Sequence, residues 1–332
     1  MNIFLVKPGV ESFFIAECST NSITTCTEST GLISTNDEIS EDSEFCFPFW
    51  ILYDISIIKS ASLSHTIESV CSWYCEQIRD IRIDSQWKLF WLTCGDNGFT
   101  PDTSKQNRLK DSLKKRISRI SKLADSAYPH IDKKVSGLYV VEDPATGKIF
   151  LSLEASFGGQ RRMKDDPQAP SRSYLKIEEA FAAAGKEPLQ GEVVADLGAA
   201  PGGWTWAALK RGATVYAIDN GPLKNGPLNH PAAHHLRCDA FTWEPDTVPV
   251  DWLFCDMVEQ PLLVLDRIKV WFSNGWCKNA VVNFKYGYSD PVKVLDSIYN
   301  RDGLQPFTKK CICRHLFHDR DELTVIAEIQ RE

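Results

Sequence analysis

No stretch of this 332-residue sequence approaches the roughly 18 uninterrupted apolar residues of a membrane helix, and the run Phe47 to Tyr53 is only strand-length. Met1 to Lys7, followed by Pro8, lacks the basic start, apolar middle and small-residue cleavage site of a secretory signal, so a cytoplasmic protein is expected. Cys-x-x-Cys is absent. The eleven cysteines are odd in number and scattered among hydrophobic segments, which excludes a disulfide framework and predicts reduced, partly buried thiols. His230, His234 and His235 lie near Cys238 but complete no zinc spacing, and no metal is expected. There is no internal repeat. With 19 Gly and 17 Pro, the chain is neither collagen-like nor low-complexity. What remains, with 43% hydrophobic residues, is a folded chain of two or three domains.

The net charge of −7 hides three regions. Residues 1–85 hold four Lys/Arg against thirteen Asp/Glu, residues 86–173 sixteen against ten, and residues 174–332 seventeen against twenty-one. The basic middle contains Lys105 to Lys122, where Lys105, Arg108, Lys110, Lys114, Lys115, Arg116, Arg119 and Lys122 face a single acid, Asp111. Leu109, Leu113, Ile117 and Ile120 recur at three- and four-residue steps, which predicts a helix with one buried stripe. A solvated face is the ordinary explanation of such a run. The acidic flanks favour a phosphate-binding surface, because a basic island binds locally whatever the total charge.

The front half reads as α+β. Strands are expected at Asn2–Val6, Phe47–Tyr53, Trp87–Thr93, Gly137–Glu142 and Lys148–Glu154, with helices at Gly9–Cys18 and His65–Arg79. Ser19 to Ser43, dense in Ser, Thr, Asn, Asp and Glu, reads as loops.

From Ser171 onward, helix and strand alternate as in a doubly wound parallel sheet. The strand Val193–Leu197 runs into Gly198-Ala-Ala-Pro-Gly-Gly203, then a helix Trp204–Arg211. The next strand, Thr214–Ile218, ends in Asp219, twenty-one residues after Gly198. A glycine turn after the first strand and an acid after the second suit an adenosine-containing ligand, because the acid accepts hydrogen bonds from ribose hydroxyls. Nicotinamide, flavin and S-adenosylmethionine sites share this logic, although the turn is not Gly-x-Gly-x-x-Gly. Later strands end in Asp239 and Asp256.

Two lysines break local rules. Lys176 lies in the first turn of a helix opened by Ser171 to Ser173, where a cation opposes the helix dipole. Lys285 ends the apolar strand Ala280–Phe284. Either alone reads as a surface amine with a packed stem. Strand ends in such a sheet converge on one crevice, which places Asp256 and Lys285 beside the nucleotide site. Two neighbouring amines also raise each other's cost of charging. A closing hairpin, Lys310–Leu316 and Leu323–Ile329, is expected at the sheet edge, with Glu322 at the start of its last strand, where it could reach the same crevice; a plain turn acid is the ordinary alternative.

At Ala169 to Phe181, Asp196 to Thr205, Phe284-Lys285 and His315 to Glu322, the sequence resembles the FtsJ-like ribose 2′-O-methyltransferases, among them those acting on a cytidine of bacterial 23S ribosomal RNA. The resemblance implies a Rossmann-like class I methyltransferase domain at 169–332, preceded by a ferredoxin-like part at 1–60 and a THUMP-like RNA-binding part at 61–168. It implies the catalytic set Lys176, Asp256, Lys285 and Glu322, with Lys285 taking the proton of the 2′-hydroxyl. It also implies S-adenosyl-L-methionine held by Ser173, Gly198, Ala200, Pro201, Gly202, Gly203, Trp204, Asp219, Asp239 and Asp256, an RNA partner and a monomer. Two other readings stand beside it: an RNA-binding assembly factor of the same fold without turnover, and a nicotinamide-dependent oxidoreductase, against which the Pro201 turn and the lysine pair argue.

Overall fold

Alternation of apolar residues with period two, interrupted by amphipathic segments, produces two separately packed units in the computed structural model, which describes residues 1–40, 43–95, 98–131 and 133–330. The units are Met1–Gly159 and Gln160–Glu332. Residues 160–168, expected with the front part, belong to the second unit: Glu179 accepts the Arg161 amide, and the Lys164 carbonyl accepts the Tyr174 hydroxyl.

In the first unit the strands are β1 (Asn2–Val6), β2 (Cys26–Ser29), β3 (Leu32–Thr35), β4 (Pro48–Tyr53), β5 (Ser56–Lys59), β6 (Trp87–Gly95), β7 (Gly98–Pro101), β8 (Ala124–Asp125), β9 (Val135–Asp143) and β10 (Lys148–Phe157). They form one sheet in the order β2-β3-β1-β4-β10-β9-β6-β7, with β5 beside β10 and β8 beside β6. Strands from both sides of position 60 therefore share a sheet. The helices are α1 (Glu11–Thr20), α2 (Leu63–Gln77), α3 (Thr103–Arg116) and α4 (Ser118–Ser121). Leu89, Trp91, Leu138, Val140, Ile149 and Leu151 face α2 and α3, which bury Val70, Tyr74, Leu109 and Leu113 against them. The neighbouring residues Phe90 and Tyr139 join Trp50 and Phe157 in an aromatic cluster, with ring centroids 4.6 Å apart for Trp50 and Phe157.

Two expectations are corrected here. The stretch Ser19–Ser43, apart from Glu41 and Asp42, which lie outside the described residues, contains the β2–β3 hairpin rather than loops alone. Its hydroxyls are spent locally, Thr35 donating to the Thr24 carbonyl and Ser34 to Glu28, so a polar composition does not keep β3 from being buried. The basic helix is broken at Ile117, where the backbone turns to φ −133° and ψ 56°. Trp87 ends the second piece, its indole and backbone N–H taking the carbonyls of Ile120 and Leu123.

The second unit contains α5 (Tyr174–Ala184), β11 (Val193–Leu197), α6 (Gly203–Leu209), β12 (Thr214–Ile218), β13 (Ala233–Leu236), β14 (Val250–Cys255), α7 (Pro261–Ser273), β15 (Cys277–Lys285), α8 (Pro291–Tyr299), β16 (Thr308–Arg314) and β17 (Glu322–Ile329). The sheet order is β13-β12-β11-β14-β15-β17-β16. β11 to β15 pair in parallel, while β17 runs antiparallel between β15 and the edge strand β16. The closing hairpin thus puts its second strand inside the sheet. An α/β Rossmann-like architecture follows, with strand ends gathered at one edge.

Candidate active site

On one face of this sheet, each strand is apolar along most of its length and polar at the crevice end. Period two puts Trp252, Phe254 and Asp256 in one file of β14, and Val281, Asn283 and Lys285 in one file of β15. On β17, Ile326, Thr324 and Glu322 are the register partners of that β15 file. The lower residues pack in a core with Ile177, Ala180 and Phe181 of α5. At the top, Lys285 and Glu322 open to a cleft of about 630 Å³ that Ser173, Lys176 and Arg320 also line.

Four of the predicted residues converge there. Lys285 Nζ lies 2.8 Å from Asp256 Oδ1 and donates to the Asp256 carbonyl at 2.6 Å. Lys176, at the start of α5, is ion-paired with Glu322. The two pairs are joined because Lys285 and Glu322 are register partners. Burial favours a neutral Lys176 amine, but the carboxylates facing it, Asp256 and Glu322 foremost, outweigh it and hold the group above its usual value. The cation that opposes the α5 dipole is therefore held by Asp256 and Glu322. The Glu322 carboxylate also accepts the Arg320 amide at 3.1 Å, which fixes it at the turn into β17.

The turn after β11 is shaped by close approach. Gly202 has φ +109°, which an L side chain rarely adopts. A Cβ on Gly203 would sit 2.5 Å from the hydroxyl oxygens of both Ser171 and Ser173. Those two hydroxyls are 2.7 Å apart. The Ala200–Pro201 peptide bond is cis. The Asp219 carboxylate accepts the amides of Ala200 at 3.0 Å and Gly221 at 2.7 Å, so it braces the turn. Asp239 accepts the Phe241 amide through Oδ1. Asp196, buried beneath the turn, accepts the Thr205 hydroxyl at 2.6 Å, and burial pushes its carboxyl up to about 7.

Trp204 is placed differently from the other predicted ligand residues. Its ring is 2% exposed within the core against Phe254, and its indole N–H donates to the Ser173 carbonyl. It positions Ser173 and leaves only its backbone for a ligand. His235 contacts the Asp219 carbonyl at 3.0 Å, and the His230 ring accepts the Ala232 amide.

Sequence reasoning missed several residues. Asn283 donates to Asp256 Oδ1 at 3.2 Å, Arg267 of α7 holds the carbonyl of Ala240 beside Asp239, and Glu179 accepts the amides of Phe317 and His318. Polar residues at core positions of apolar segments were the available signal. Asp319, buried in the turn between β16 and β17, had none beyond its place in a charged run.

Residues 169–280 match the family described as FtsJ-like methyltransferase. Over 241 residues the chain is 35% identical to the Ribosomal RNA large subunit methyltransferase M of Stenotrophomonas maltophilia (strain R551-3), covering 70% of this chain and 63% of that protein. It is 41% identical over 180 residues to the protein of the same name from Xylella fastidiosa (strain 9a5c), covering 51% of this chain and 50% of that one. The chain thus spans between half and two thirds of the length of the curated relatives it matches.

Proposed function

We propose that the protein transfers a methyl group from S-adenosylmethionine to the 2′-hydroxyl of a ribose in RNA. The observation that carries this reading is the convergence of Lys176, Lys285 and Glu322 on one cleft, with Asp256 beside Lys285, at the end of the sheet where the β11 turn lies. The names of the relatives support large-subunit ribosomal RNA as the substrate class. The basic face of the first unit, where Arg108, Lys114, Lys115 and Lys122 are exposed, supports RNA binding there. On this reading residues 1–159 supply the ferredoxin-like and THUMP-like parts that the sequence places at 1–60 and 61–168.

The residues at the turn fit a methyl donor bearing adenosine. Asp219 and Asp239 lie just past the ends of the adjacent strands β12 and β13, and carboxylates there accept hydrogen bonds from ribose hydroxyls and an adenine amine. Ser173 is held at the turn by Trp204. When bound, the donor supplies an electrophilic methyl carbon.

Lys285 is the group that takes the hydroxyl proton. A neutral amine has two N–H bonds and one lone pair. The Asp256 carbonyl accepts a hydrogen bond from Lys285 and the Asp256 carboxylate lies 2.8 Å from the amine, so the amine is anchored on one side and its lone pair is left for the ribose hydroxyl. Lys176 stays charged, the cost of its burial outweighed by Asp256 and Glu322. Glu322 holds Lys176 in place and Asn283 holds Asp256.

The test is incubation of the purified protein with labelled S-adenosylmethionine and RNA from cells lacking it, followed by mass mapping of the product. Label on a ribose oxygen is expected. Label on a base, or binding of NAD instead of the methyl donor, overturns the reading.

A further inference from the structure

Behind Lys285, buried polar groups run inward from the cleft. Asn283 and Thr324 are register partners and fully buried. The Thr324 hydroxyl oxygen lies 2.6 Å from Asn283 Oδ1 and 2.9 Å from Asp319 Oδ2. Asn283 Nδ2 donates to Asp256 Oδ1, the oxygen paired with Lys285.

These contacts count protons. Carboxylate oxygens of Asp256 only accept, so the nitrogen of the Asn283 amide faces Asp256 and its oxygen faces Thr324. Both neighbours of the Thr324 hydroxyl are then oxygens, and a hydroxyl has one hydrogen. If that hydrogen goes to Asp319, the 2.6 Å contact with Asn283 sets two oxygens together with no hydrogen between them. If it goes to Asn283, the contact with Asp319 is satisfied once Asp319 itself carries a proton. Only the second arrangement leaves no bare oxygen pair in a buried site, where such a pair is costly.

We infer that Asp319 works as a neutral carboxylic acid donating to Thr324, and that through Thr324 and Asn283 it is a positioning residue for Asp256 and Lys285. Oδ2 still accepts the Leu316 amide at 2.8 Å, as a protonated carboxyl oxygen can. The surroundings agree. Burial, reinforced by Glu322 of β17, pushes the Asp319 carboxyl up to about 7 against the pull of Lys176 of α5 and the hydrogen bonds from Leu316 and Thr324. Glu179 of α5 also faces it, and His318 and Arg320 flank it in the chain. When Asp319 ionises, it draws the Thr324 hydrogen to itself, the Asn283 oxygen loses its donor, and the amide no longer has one preferred orientation towards Asp256.

The role rests on Lys285 being the base in the proposed reaction, so the experiment has an arm that needs no turnover. Carbon-13 NMR of aspartate-labelled protein, with the Asp319 signal assigned by its loss in Asp319→Asn, follows the carboxyl directly. It is expected to be protonated below neutrality, and Thr324→Val is expected to shift its titration even should Asp319→Asn not fold. In the kinetic arm, wild-type kcat is expected to fall about ten-fold per pH unit above neutrality. Thr324→Ser keeps that alkaline limb. Thr324→Val lowers kcat and removes the limb, with the KM for the methyl donor unchanged. An Asp319 carboxyl ionised well below neutrality, or a Thr324→Val profile with the wild-type limb, overturns the inference. A wild-type protein without methyl transfer sinks the functional reading instead, while the NMR arm still decides the state of Asp319.

Discussion

The two units treat charge in opposite ways. On the helices of the first, cations are matched at the surface: Arg116 with Glu68 and Arg119 with Asp84 at 3.3 Å. Its aliphatic and aromatic cores are built from opposite faces of one sheet. In the second, Lys176 and Glu322 have side chains only 13% and 7% exposed, and Asp196, Glu179 and Asp319 are fully buried. Exposed pairs hold little free energy because water screens them, whereas desolvated groups constrain one another strongly. A surface ion pair therefore constrains its neighbourhood little, and a buried polar file constrains it strongly.

Substitutions in the second unit test that contrast first. Lys285→Ala is expected to reduce methyl transfer by about 10²–10⁴-fold, the usual contribution of a positioned base, with the circular dichroism spectrum unchanged. Retained turnover would remove the distinction between the units altogether. Lys176→Met leaves Glu322 without its partner, and urea unfolding should register a loss at the lower end of roughly 3–5 kcal/mol, since the cleft lets water reach the carboxylate. Gly203→Ala forces a methyl group against the Ser171 and Ser173 hydroxyls and should cost about 1–3 kcal/mol, with weaker binding of S-adenosylhomocysteine measured by calorimetry.

A subtler comparison uses pH. Burial raises Glu179 from its usual 4.5 to about 8, so folding favours its protonated form. The contribution is complete below the unfolded value and is lost as pH rises from about 4.5 towards 8. Denaturation midpoints measured across that window should fall for the wild type and fall less for Glu179→Gln; an identical slope would mean that its three backbone donors keep Glu179 ionised. The smallest effect belongs to the first unit, where Arg119→Ala should change stability by less than about 1 kcal/mol. A larger loss there would show that its surface pairs are as constrained as the cleft.

Much of this was legible in the chain. Val193–Leu197, the glycine turn and Thr214–Ile218 were readable because strand periodicity and chain-breaking residues are local signals. So were Lys176 and Lys285, each an amine where local rules disfavour one. The β2–β3 hairpin was not, because its hydroxyls find partners only once the strands pair. Trp204 read as part of a ligand motif, yet its ring fills the core, since direction depends on what packs beside it. The end of the basic segment depends on Trp87, more than thirty residues earlier, which takes the carbonyls of Ile120 and Leu123.

The sequence by itself determined the alternation of strand and helix, the turn, and the identity of four charged groups at strand or helix ends. Only the tertiary structure decided that Lys285 meets Asp256 and Lys176 meets Glu322, and that Asn283, Thr324 and Asp319 stand behind them. Periodicity is set by neighbours along the chain, whereas partnership in a hydrogen-bond network is set by register between strands far apart in sequence, and by the cost of leaving any buried polar atom unmatched.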